Sequence, residues 1–130
     1  MVDSNVIFSA NLIRNSTMAN IVSHVIKNHS MVLCQYVIDE VIVAYTKKFP
    51  HKFDEIVGYL DDLPFELFVL TDYDERKYPD NRDRKDIPIL ANAIESGVDI
   101  FITGDKDFDD VNIAKPRILK SQQYVKEFMT

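Results

Sequence analysis

Short apolar runs of strand length alternate with longer segments of helical period along this chain, and that alternation confines it to a narrow class of folds. Met31 to Cys34, Phe65 to Leu70 and Asp99 to Thr103 are too short for helices and rich in apolar, β-branched or aromatic residues. Between them, residues 17–28 place Met18, Ile21, Val22, Val25 and Ile26 on one face, with Ser16 positioned to cap a helix. Residues 36–49 contain no breaker and form a second helix that Pro50 ends. Residues 51–63 repeat the helical spacing with Phe53, Ile56, Val57 and Leu60. Strands separated by covering helices are the mark of an α/β layer with a mostly parallel sheet. In such sheets, ligands bind beyond the carboxyl ends of the strands.

The remaining segments fit the same scheme. Met1 to Phe8 opens with a short strand, and residues 71–81 read as a polar loop. Asp83 caps a helix over residues 84–96 that contains Pro88 early and stops at Gly97. Arg117 to Leu119 form a last strand, and Ser121 caps a final helix to Phe128. A length of 130 residues with 46% apolar content is one domain, residues 1–130, with enough apolar surface for a core. The lone cysteine, Cys34, excludes an internal disulfide framework and reads as a buried small hydrophobe. No apolar run approaches a membrane span and no secretory leader precedes the first strand, so the expectation is a soluble cytoplasmic protein.

Acidic residues punctuate this scheme at telling places. Asp3 and Asp105 fall at or just after the ends of strands, where an α/β crevice opens. Glu40 projects from an apolar helix surface, with Tyr36, Val37, Val43 and Ala44 at neighbouring positions, where an unpaired charge is costly. Its neighbour Asp39 competes for that inward role. Asp86 stands in a first helical turn, where an acid also suits the helix dipole. Asp107 follows Asp105 closely, and like charges so near one another call for a cation. Converging, these carboxylates would make a pocket for Mg2+ or Mn2+, hard ions that favour oxygen ligands. The net charge of −6 argues against nucleic-acid binding by bulk electrostatics. Bound cations and local basic groups, such as Lys47-Lys48 and Arg82 to Lys85, offset that objection.

The ordered motifs Val2-Asp3-Ser4-Asn5-Val6, Ile38-Asp39-Glu40-Val41, Arg82 to Ala93 and Phe101-Ile102-Thr103-Gly104-Asp105-Lys106-Asp107 resemble those of PIN domains. The similarity is greatest to the PIN-family toxin components of bacterial toxin–antitoxin pairs, and it covers nearly the whole chain. The resemblance implies a three-layer α/β/α domain with a small, mostly parallel central sheet. It also implies a Mg2+- or Mn2+-dependent endoribonuclease. Asp3, Glu40, Asp86 and Asp105 would then be the catalytic acids, with Asp3, Asp86, Asp105 and the auxiliary Asp107 holding metal. Asn5 and Thr103 would orient those carboxylates or a metal-bound water. Further implications are an RNA substrate, a cognate antitoxin protein and a homodimer.

Other chemistries fit less well. A phosphatase of the haloacid dehalogenase type needs a second carboxylate two positions after the first, where this chain has Asn5. A calcium loop starting at Asp105 lacks glycine at its sixth position and glutamate at its twelfth. A PIN fold working only as an interaction module gains nothing from clustered carboxylates that repel one another. His24, His29 and His51 have no metal-binding spacing. Tyr36, Tyr45, Phe65 and Phe68 read as core rather than as base-stacking surfaces.

Overall fold

A computed structural model describes residues 1–78 and 86–130. The helices are α1 (Ser4–Leu12), α2 (Thr17–Asn28), α3 (Gln35–Lys48), α4 (Phe53–Asp62), α5 (Ile87–Glu95) and α6 (Ser121–Phe128). The strands are β1 (Val32–Cys34), β2 (Glu66–Phe68), β3 (Ile100–Thr103) and β4 (Arg117–Lys120). Short 3-10 turns occupy Pro50–Lys52, Glu75–Lys77 and Lys106–Phe108.

All the strand pairing described is parallel. β1 pairs with β2 from Val32–Glu66 to Cys34–Phe68, and β3 with β4 from Ile100–Arg117 to Thr103–Lys120. The N-terminal segment joins β3 through one parallel bridge, Val2 to Ile102. There the Ile102 amide donates to the Met1 carbonyl and the Asp3 amide donates to the Ile102 carbonyl, each at 2.9 Å. The parallel α/β class read from the sequence is therefore observed. Val2, Ile7, Leu33, Val37, Ile56, Leu90 and Phe101 are fully buried and make the centre of one apolar cluster between helices and strands. Among the described residues no helix is long and apolar enough to cross a membrane.

Local signals explain most element ends. The Ser16 hydroxyl accepts the Ala19 amide at 3.2 Å and starts α2. Gly97, at φ +72°, donates its amide to the Ile94 carbonyl and closes α5 in a conformation that side chains resist. Pro88 lies in the first turn of α5, where a missing amide proton costs nothing.

Three expectations are revised. Strand character in residues 1–8 is confined to the bridge at Val2, and Ser4 already begins α1. The Asp3 carboxylate accepts the Ser4 amide and ends the extended segment, while Val6, Ile7 and Ala10 become the helix's buried residues. Ser121 is the first residue of α6 rather than its cap. Its hydroxyl contacts the Met18 sulfur at 3.3 Å, and the Gln123 side chain accepts the Lys120 amide at 2.8 Å instead. The described part of α5 begins at Ile87, after Asp86. Asp83, expected to cap that helix, lies outside the described residues, as do Arg82, Arg84 and Lys85.

Candidate metal centre

Parallel pairing brings two acid-bearing segments out at one edge. Val2 and Ile102 are bridged, so Asp3 and the turn Thr103-Gly104-Asp105 leave side by side. α3 springs directly from β1 and carries Glu40 in its second turn, and α5 begins immediately after Asp86. Asp3, Glu40, Asp86 and Asp105 together line one open cavity of about 430 Å³. Carboxylate oxygens of Asp86, Asp105 and Asp107 lie within 4.8 Å of one another. Asp3 and Asp105 meet there from 102 positions apart in the chain, and Asp107 adjoins through its spacing to Asp86 and Asp105.

Glu40, not Asp39, faces this cavity. Asp39 is turned outward and accepts the Gln35 side-chain amide at 2.8 Å. The uncertainty left by the apolar helix surface is settled by the position of α3 against α1, which no spacing rule encodes.

Neutral groups fix the acids. One Asp3 oxygen accepts the Ser4 amide at 2.7 Å, and the other accepts the Thr103 hydroxyl at 2.6 Å. The same Thr103 oxygen accepts the Asp105 amide at 3.0 Å, so one buried hydroxyl connects the two strand-end acids. Asp105 in turn accepts the Asp107 amide at 2.9 Å, which folds the 3-10 turn and brings Asp107 back to the cluster. Asn5 accepts the Gly104 amide at 3.3 Å. A Cβ on Gly104 would stand 3.0 Å from the Asn5 side-chain nitrogen, so glycine permits this close approach. Thr103 thus touches Asp3 and the Asp105 backbone, whereas Asn5 holds the Gly104 backbone rather than a carboxylate.

Ser4 is the site residue that sequence reasoning missed. Its hydroxyl donates to the Glu40 carboxylate and joins α1 to α3 at the cavity. A serine after a strand-end acid carries no distinguishing signal, and its partner is 36 residues away. Phe8 and Ser9, one turn along α1, were also not foreseen as cavity wall.

Burial gives the site its electrostatic character. Asp3 is only 3% exposed, and desolvation pushes its carboxyl up from 3.8 to about 6. The Thr103 and Ser4 hydrogen bonds oppose that rise, and the Glu40 and Asp105 charges add to it. A carboxylate kept from water, hydrogen-bonded in place and surrounded by like charges is a poor structural element without a counter-charge. A divalent cation supplies that charge, and the all-oxygen donor set suits a hard ion. The residues present therefore fit a bound divalent metal, with Asp86, Asp105 and Asp107 as its nearest-spaced donors.

The PIN domain family model matches residues 1–107, a span that contains all of these acids. The chain belongs to the PIN domain family. PIN domains are typically metal-dependent nucleases, and the acidic centre of this one has the donors such chemistry uses. No curated protein matches the chain significantly.

Proposed function

We propose that this PIN domain is a Mg2+- or Mn2+-dependent endoribonuclease, acting in the cytoplasm as the toxin of a toxin–antitoxin pair. The observation that carries the reading is the convergence of Asp3, Glu40, Asp86 and Asp105 on one cavity, with Asp3 buried and held by Thr103. When bound, a divalent cation supplies Lewis acidity toward a phosphodiester and toward water. Asp86, Asp105 and Asp107 would hold it, beside the buried Asp3 at the strand end. Thr103 and Ser4 occupy one lone pair on each Asp3 oxygen, which leaves the others directed by a rigid carboxylate. Glu40 is oriented through one oxygen by Ser4, and its other oxygen accepts the proton of the attacking water. No side-chain nucleophile is needed.

The acidic cavity also suggests how such an enzyme is restrained. A cognate antitoxin presenting a basic or polar side chain complements it, and like charge deters wrong partners. The homodimer belongs to the same proposal. Induced expression in bacteria tests the reading: the wild-type chain should arrest growth and fragment RNA, and Asp86→Asn should do neither. Growth arrest by both would move the activity away from these acids.

A further inference from the structure

From the acidic cavity a run of aromatic contacts leads along α1 and α3 to a pair of lysines. The two helices run side by side away from the site. Ser4 of α1 is bonded to Glu40 of α3, and one turn on, Phe8 packs edge-on against Tyr45 with ring centres 5.3 Å apart. Phe8, Ser9, Val41 and Ala44 are already cavity wall, and the buried Tyr45 behind Phe8 donates its hydroxyl to Glu55 at 3.5 Å. The Tyr45 ring lies 5.2 Å from Phe49. The ammonium groups of Lys48 and Lys52 stand 5.9 Å and 5.2 Å from the centre of the Phe49 ring. Glu40 and Lys48 are eight positions apart on α3, or about 12 Å along the axis at a rise of about 1.5 Å per residue.

We propose that single-stranded RNA flanking the cleaved bond lies along this face of α1 and α3, its bases against the half-buried Phe8 and Phe49 and its phosphates on Lys48 and Lys52. The inference rests on the nuclease reading of the cavity. A chain of net charge −6 repels a polyanion in general, so productive RNA must find local cations close to the acids. Among the described residues, Arg76, Lys115, Arg117 and Lys120 are committed to ion pairs, whereas Lys48 and Lys52 are in none. The helix dipole accounts for a lysine in the last turn of α3, but Lys52 lies in the following 3-10 turn and still reaches over the same ring. Aromatic faces interleaved with cations are what unpaired bases and their phosphates bind together, and stacked duplex bases offer no such faces.

The test is RNA binding, read apart from cleavage. Asp105→Asn is the background, and the probe is a fluorescein-labelled single-stranded RNA of about 16 nucleotides, the long end of common site sizes. Anisotropy is measured in Mg2+ across about 50–200 mM salt, a range in which phosphate contacts show strongly. Adding Lys48→Gln with Lys52→Gln should weaken binding roughly ten-fold and flatten the log–log salt slope by about 1.4, two contacts at about 0.7 each. Lys126→Gln, on an exposed face of α6, is the control and should match the background. Thermal melting checks that all variants fold. An unchanged slope in the double variant, an equal loss in the control, or tighter binding to duplex than to single strand overturns the inference. Metal-dependent cleavage by the wild type alongside an unchanged slope would overturn the RNA path alone, whereas a lysine effect without cleavage would overturn only the nuclease reading.

Discussion

Replacing the buried acid Asp3 by asparagine should make the metal-free fold more stable at neutral pH and less stable in acid. The folded carboxyl titrates at about 6 and the unfolded one at about 3.8. Because the folded value is the higher, the folded state holds the proton more tightly, and wild-type stability rises as pH falls from about 6 to about 3.8. Above that window the ionised side chain carries a penalty of up to about 3 kcal/mol, a shift of about 2.2 units at about 1.36 kcal/mol each. Asparagine removes the penalty but, with one oxygen replaced by a donor, keeps only one of the two bonds that Asp3 accepts from Ser4 and Thr103, a loss of about 1–2 kcal/mol. The variant should therefore be about 1–2 kcal/mol more stable near pH 8 and less stable by a similar amount near pH 4. The Met1 amino group, lowered to about 6 by burial, titrates in both proteins and cancels from the difference. Urea melts in EDTA at a series of pH values measure it. A stability difference that stays flat across pH would refute the buried, uncompensated charge on which the metal argument rests.

Thr103→Val should cost about 1–2 kcal/mol and lower cleavage about 10–100-fold, because Asp3 loses a donor and the Asp105 amide its acceptor; melting and single-turnover rates check both effects. Gly104→Ala should destabilise by about 1 kcal/mol as the new methyl meets Asn5, and adding Asn5→Ala should relieve part of that loss without restoring activity, as a double-mutant cycle would show. Mn2+ at about 100-fold over its dissociation constant should stabilise the wild type by about 2.7 kcal/mol, and Asp86→Asn with Asp107→Asn should abolish the gain in a thermal melt.

The elements legible in the sequence were those whose own residues carry the signal. Ser16 caps α2, Gly97 closes α5 and the run from Ile100 to Thr103 forms β3, each through neighbours in the chain. α1 was hidden because Val6, Ile7 and Phe8 form an apolar run with no clear helical period, and the deciding contact is the Asp3 cap. The acids of the site were legible as a set because strand ends are where an α/β crevice opens. Their discrimination was not: Glu40 prevails over Asp39 through the packing of α3 on α1, and Ser4 joins the site through a partner far along the chain.

If the acidic centre cuts RNA with a divalent metal, a labelled single-stranded RNA will show it. Purified protein is assayed with Mn2+, with Mg2+ and with EDTA, beside Asp105→Asn. Internal cleavage is expected with either metal, none in EDTA and none by the variant. Cleavage that survives EDTA or Asp105→Asn would contradict it, as would a folded protein that neither binds Mn2+ nor cuts.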